Sequence, residues 1–346
     1  MSITRRSRRL HWSRIALPFR FQLIRDVNAG MLGEGRRKKM ADSGLLIDID
    51  GQDVHFATSK MDGSANLGDR RSYHSRDFIT ATDCILRYAQ DTGLELRGLM
   101  TVVIISGPVV GDTVRIARCP WIISIRGIGY LIDRDPFVIN DSAAKLWSDL
   151  EPTRNSHTPI GGPTGSTQAE RGMGRFLAVN FATGLGAALF VRNADGIFHV
   201  ETELGQIGFA PSGDDEKALC QALSKPPVPV CWERALLAGS SDPIWAKAGV
   251  GTDSRRIASI RAGMLGSFCG DAVLATGAWG GMTLHGNGRE VLSNDALLAI
   301  FNERFEGRAA YTSNLRQIPR WRVERPDVNL VGAINYLHAK CVAGTA

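Results

Sequence analysis

The sequence predicts an α/β protein of two lobes, strand-led at first and helix-rich later, and three observations carry that expectation. The run MTVVIISGP (100–108) is continuously apolar, as a strand buried on both faces of a sheet must be. Strand-like runs alternate with helical spacing up to residue 150, and a second set of strands begins near residue 176. Between the sets, residues 152–175 (PTRNSHTPIGGPTGSTQAERGMGR) collect Pro, Gly, Ser and Thr and read as a long surface loop at a domain boundary. With 346 residues the chain is long for one core, so two domains are the better prior.

Taken in order, GLLIDID (44–50) and VHFATS (54–59) are strands around a turn at Gly51-Gln52-Asp53. RDFITATDCILRYAQDTG (76–93) places Phe78, Ala81, Ile85 and Tyr88 at helical spacing, with Gly93 as its stop. TVRIAR and WIISI add shorter strands, and FVINDSAAKLW passes from strand into helix. FLAVN, AALFVR and IFHV are the second set of strands. After residue 214 the pattern is mainly helical: Ile257, Ile260, Met264 and Phe268 share one stripe, and Leu297, Phe301 and Phe305 another.

The net charge of +6 is unevenly spread: residues 1–40 hold eleven Lys/Arg against Asp26 and Glu34, a balance of +9 that leaves −3 for the rest. The leader therefore carries the basic character. It reads as a segment apart from the fold, with Met40 standing directly before the first strand. Nucleic-acid binding ranks last, because those residues show no helix-turn-helix pattern. No uninterrupted apolar run approaches the ~18 residues of a membrane span, so no membrane partner is expected. The six cysteines are scattered without zinc-site spacing and suit a reducing, cytoplasmic setting.

Five short segments place acidic or Gly-rich groups where α/β proteins hold ligands. They are DIDGQD (48–53), INDSA (139–143), ATGLG (182–186), ETELGQIGFAP (201–211) and WERALLAG (232–239). Each has a plain alternative. Asn140-Asp141 could be a helix N-cap, Glu203 and Glu233 solvated surface carboxylates, and ATGLG a Gly-rich hairpin. The seven histidines form no metal-ligating array.

The order of these segments resembles the bacterial glucokinase family, from about Leu45 to near the C-terminus. SGPVVGDTVRIARCPWIISI is similar to the family's C-P-x-x-G-D … W-x-x-S-I segment, VINDSAA to I-N-D-F-x-A, and TGLGAA to its phosphate loop. ELGQIGFAPS resembles E-G-G-H-x-x-F-A-P, VCWERALLAG the S-x-E-R-x-L-S-G helix, and LATGAWGGMTLHGNG the adenosine segment. The resemblance implies a two-lobed hexokinase-like, actin-like ATPase (ribonuclease H-like) fold with an inter-lobe cleft. The small domain would comprise residues 41–151 and 326–346, and the large one 152–325.

It further implies an ATP-dependent kinase acting on the 6-hydroxyl of glucose or a related hexose, with Mg²⁺ as cofactor and a homodimer as an admissible assembly. Asp141 would be the general base, and Asn140, Glu203, Gln206 and Glu233 would hold the sugar. Asp48 would hold Mg²⁺ through water. Gly51, Thr183, Gly184 and Gly186 would face the phosphates, and Gly280, Gly281 and Gly286 the adenosine. The sequence departs from the family pattern D-x-G-G-T-N-x-R at Asp50, Gln52 and Asp53. Gln206 stands where the family has a sugar-binding histidine, and His285 and Asn287 where small residues are usual. The expectation is a nearly intact sugar half and an altered nucleotide half, with a non-catalytic sugar-binding relative as the alternative.

Overall fold

The first sheet grows from a hairpin. Strand β1 (Ser43–Ile49) turns through Asp50–Gln52 into antiparallel β2 (Asp53–Lys60), which pairs in turn with β3 (Leu67–His74). The computed structural model describes residues 43–62, 64, 66–150, 157–164, 172–238 and 242–343, all within one compact unit, Ala41–Ala346. The basic leader (1–40) lies outside the described residues. Helix α1 (Ala81–Thr92) starts where the Thr80 hydroxyl accepts from the Asp83 N–H and Asp83 returns the bond, and it stops at left-handed Gly93. Strand β4 (Met100–Ile105), buried throughout as its apolar run requires, lies parallel to β1. A two-stranded ribbon, β5 (Thr113–Arg115) with β6 (Ile122–Ser124), precedes α2 (Ile125–Ile132). Strand β7 (Phe137–Asn140) closes the order β3-β2-β1-β4-β7 and runs straight into α3 (Asp141–Ser148).

The second sheet contains β8 (His157–Gly161), β9 (Gly174–Phe181), β10 (Leu185–Asn193) and β11 (Gly196–Thr202). Helices α4 (Asp214–Leu223), α5 (Trp232–Ala238), α6 (Asp242–Lys247) and α7 (Ser254–Thr276) follow. Strand β12 (Gly281–Gly286), α8 (Gly288–Val291), α9 (Asp295–Glu306), α10 (Thr312–Arg316), β13 (Arg320–Val323) and α11 (Val328–Ala343) complete the chain's order. The sheet order is β11-β10-β9-β12-β13-β8. Strand β8 corrects the reading of 152–175 as loop throughout. It pairs antiparallel with β13, Arg320 opposite Gly161 and Val323 opposite His157, and buries Ile160. That pairing supplies hydrogen bonds which local composition does not announce.

Helix α7 is long and apolar enough to cross a membrane by length and composition, but 67% of its apolar window is buried inside the fold. It belongs to the core of the second lobe with Phe301 and Phe305 of α9. A separate cluster joins the two sheets. It combines Leu46 and Ala57 with Trp147 of α3, Phe176 and Phe190 of the second sheet, and Ile334 and Leu337 of α11. Trp147 packs edge-on against Phe190 and Tyr336, and Asn335 donates to the Trp147 carbonyl at 3.0 Å. Helix α3 is thereby clamped between the sheets. Its N-terminus opens into the cavity between them.

Candidate active site

That cavity has a volume of ≈ 810 Å³ and draws its lining from segments far apart in sequence. Asn140, Asp141, Thr183, Gly184, Gly186, Glu203, Gln206, Glu233 and Gly286 all face it. Asn140 does serve as the N-cap of α3, accepting from the Ala143 N–H at 2.7 Å, so its plain role and its place in the site coexist. Its own N–H is held by Glu201 Oε1 at 2.6 Å.

Asp141, the first residue of α3, is gripped from one side only. Its Oδ2 accepts from Lys145 Nζ (3.1 Å), one helical turn on, and from Asn180 Nδ2 (2.9 Å) at the end of β9. No bond engages Oδ1 among the described residues. Lys145 is buried and lines the cavity, an uncommon place for an ammonium unless it is paired. The carboxylate is thus fixed in orientation with one oxygen left for a ligand.

Glu233 is committed at both oxygens. Oε1 accepts from Gln206 Nε2 and Oε2 from the Leu185 N–H, each at 2.8 Å. The second bond ties α5 to the turn between β9 and β10. Glu203 has its carboxyl raised above the usual range, by partial burial first and then by the charges of Asp141, Glu233 and Glu201. Carboxylates, an amide and an ammonium around one cavity suit the alternating donors and acceptors of a polyol.

Two hairpin turns reach the cavity from opposite sheets. In the β9–β10 turn, the N–H groups of Thr183 and Gly184 donate to nothing among the described residues, so both are open to a ligand. Gly286, at φ +83°, sits where a Cβ would lie 2.3 Å from the Phe181 carbonyl, so only glycine fits beside that turn. In the β1–β2 turn, Asp50 lines the cavity, while Gly51 (φ +108°) is pressed under the Ala117 carbonyl of the β5–β6 ribbon.

Asp48 lies behind that turn, on a smaller cavity of ≈ 480 Å³ shared with Asp50 and Asn329. It is 5% exposed, and its Oδ2 accepts from Asn329 Nδ2 at 2.9 Å. Burial pushes its carboxyl up to about 6, against the opposing pull of Asn329 and Lys145. Asp48 Oδ1 and Asn329 Oδ1 are buried acceptors without a partner. Two orphaned oxygens around one carboxylate fit a divalent cation, and Mg²⁺ commonly takes one or two carboxylates with the rest from substrate and water. No cage of three or more His, Cys, Asp or Glu exists among the described residues.

Gly280 and Gly281, expected to face the adenosine, lie away from the cavity. They stand at the start of β12, beside Phe176, whereas Gly286 stands at its end beside Phe181 and the cavity. A parallel strand carries its two ends to opposite edges of the sheet, so the first pair packs against Phe176 and Trp321 and lines no part of the cavity. His285, one of the unusual residues, is buried and hydrogen-bonds Asp149 at 3.3 Å and Thr283 at 3.2 Å. For Asp149 burial acts to raise the carboxyl, but the charges and bonds of His285 and His157 outweigh it and hold it down at about 2.

Lys145, Asn180, Glu201 and Asn329 were not singled out from the sequence. Lys145 carried a local signal, four residues after Asp141 on one helix. Asn329 carried none, 281 residues from Asp48.

The glucokinase family model matches residues 45–241 and 244–340. The glucokinase of Xanthomonas euvesicatoria pv. vesicatoria is 28% identical over 319 residues, covering 84% of this chain and 94% of that protein. A glucokinase crystal structure from an Antarctic psychrotroph superposes with TM-score 0.69 at 23% identity, covering 86% of this chain and 99% of the other. A ROK-family glucokinase from Streptomyces griseus, solved with glucose and AMPPNP, gives 0.52 at 16% identity, with 86% and 99% covered. The two-lobed hexokinase-like fold expected from the motifs is the fold observed.

Proposed function

Since the chain belongs to the glucokinase family, we propose that it transfers the γ-phosphoryl group of ATP to the 6-hydroxyl of glucose or a close hexose, in the cytoplasm. The observation that carries the reading is the convergence of Asn140, Asp141, Glu203, Gln206 and Glu233 with the open Thr183–Gly184 turn on one cavity. Asp141 Oδ1 takes the proton of the 6-hydroxyl as that oxygen bonds to the γ-phosphorus; the bond to the β–γ bridging oxygen breaks and ADP leaves. Lys145 and Asn180 keep Oδ2 turned away, so that the free oxygen meets the hydroxyl. Asn140, Glu203, Gln206 and Glu233 bind the other hydroxyls, and the N–H groups of Thr183 and Gly184 receive phosphate oxygens. Mg²⁺ held by Asp48 and Asn329 would supply charge neutralisation at the phosphates. Closure of the two lobes would exclude water as a competing acceptor.

Sugar-dependent ADP release, measured with a coupled assay over a hexose panel, tests the proposal. Turnover with glucose or a near relative is expected; none with any hexose at millimolar Mg-ATP would sink it. A second reading, a sugar-binding relative that turns over poorly, is favoured by one observation: the carboxylate of Asp50 in the β1–β2 turn.

A further inference from the structure

The β1–β2 turn is closed upon itself. Asp50 Oδ1 accepts from the N–H of Gln52 at 3.2 Å and from the N–H of Asp53 at 3.0 Å. Its Oδ2 stands 3.9 Å from His55 Nε2. The carbonyls on the far side are tied as well: Gln52 accepts from the Ser75 N–H at 2.7 Å, and Gly51 from the Ser75 hydroxyl at 2.8 Å. Gly51 lies against the Ala117 carbonyl, and its N–H alone in the turn has no partner among the described residues, whereas those of Gln52 and Asp53 are committed to Asp50.

A carboxylate and a phosphate are both oxyanions that accept from adjacent backbone N–H groups, and two anions cannot share the same two donors. Across the cavity, the Thr183–Gly184 turn keeps its donors open and carries no acid of its own. We propose that the Asp50 carboxylate occupies the place of a phosphate at the β1–β2 turn, so that Asp50 sets the affinity of this protein for its phosphoryl donor and makes it hold hexose more readily than Mg-ATP. The inference rests on the kinase reading only in that a nucleoside triphosphate enters this cavity.

The test is calorimetry on the full chain, titrating Mg-ATP and glucose separately into the wild type, Asp50→Ala, Asp50→Gly and Asp50→Asn. Removing the side chain frees both N–H groups and one charge. Mg-ATP should then bind about tenfold to hundredfold tighter in Asp50→Ala and Asp50→Gly, the range expected for charge-assisted hydrogen bonds regained. Asp50→Asn keeps an oxygen that can cap the turn and should gain less. Glucose affinity should stay within about twofold throughout, since no sugar-facing group changes. Unchanged or weaker Mg-ATP binding in the Ala and Gly variants, with glucose binding intact, overturns the proposal. So does micromolar Mg-ATP affinity in the wild type. Should one variant lose glucose binding along with its fold, the remaining two decide by the same criterion. Turnover separates this inference from the kinase reading. Tighter Mg-ATP without hexose phosphorylation keeps the plug and sinks the kinase. Brisk wild-type turnover with unchanged affinity on mutation does the reverse.

Discussion

The β1–β2 and β9–β10 turns offer the same backbone device to one cavity and differ in what fills it. Thr183–Gly184 leaves its N–H groups vacant and is braced from outside by Glu233, while Asp50 takes up two donors of its own turn, the N–H groups of Gln52 and Asp53. Two like charges ~4 Å apart at an effective dielectric of ~20 repel by about 4 kcal/mol. The Asp50 side chain is 47% exposed. Solvent screening therefore cuts that repulsion to about 1–2 kcal/mol. A hairpin shape alone thus does not make a phosphate site; the side chains beside it decide whether the donors are for sale to a ligand at all.

The largest effect is expected at Asp141. Asp141→Asn should lower kcat by about 10²-fold or more, the loss expected for a general base, while hexose affinity measured by calorimetry moves little. An unchanged kcat removes Asp141 from the chemistry. Lys145→Met should come next. It leaves Asp141 without its ion-pair partner in a pair whose side chains are 10% and 21% exposed. A stability loss of about 2–3 kcal/mol is expected, read as a lowered midpoint in denaturant, with little change if the pair is only a surface contact.

A smaller effect tests the brace. Glu233→Ala removes both the bond to Gln206 and the hold on the Leu185 N–H, and should weaken hexose binding by about tenfold. Mg-ATP affinity should fall with it, because the open turn loses its anchor; a change in hexose alone would show that the turn stands unaided. The smallest effect lies in pH. Burial first, and then the charge of Lys340, hold His199 down at about 4, below its ordinary 6.5. Its Nδ1 accepts from Trp147 Nε1 at 3.2 Å, which favours the neutral ring over the attraction of Glu201 3.9 Å away. The native state therefore binds fewer protons than the unfolded chain between these values. The stabilisation is complete above pH 6.5 and is lost as pH falls toward 4. About 1 kcal/mol should be gone by pH 6, and His199→Gln should flatten that slope in denaturant titrations.

Much of the fold was legible because its signals are local. Gly93 ends α1, the unbroken run at 100–105 marks a fully buried strand, and the stripes of α7 and α9 bury Ile257, Met264, Phe268, Leu297, Phe301 and Phe305 and leave Ile260 half-buried. The segments that meet in the cavity were legible by motif and order, since Asn140, Asp141, Thr183, Glu203 and Glu233 sit at the ends of strands and starts of helices. What escaped depends on partners remote in the chain. The reading of β8 as loop failed because its partner is β13, and that Gly286 rather than Gly280–Gly281 meets the cavity follows from a strand direction only the sheet reveals.

Sequence by itself determined the α/β class, most of the elements and the identity of the acids, because hydrogen bonds within a few residues and the burial period of each element are written locally. The partners each acid meets follow from the tertiary structure. Sheet order β3-β2-β1-β4-β7 and the return of α11 bring Asn329 to Asp48, and the packing of α3 against β9 brings Asn180 to Asp141. Asp50 is plain to see in the sequence, but that its carboxylate turns back onto the N–H groups of Gln52 and Asp53 follows only from a turn held by Ser75 and covered by Ala117. Those contacts link positions 24 and 66 residues from Gly51, and no local pattern in a chain encodes a meeting at that separation.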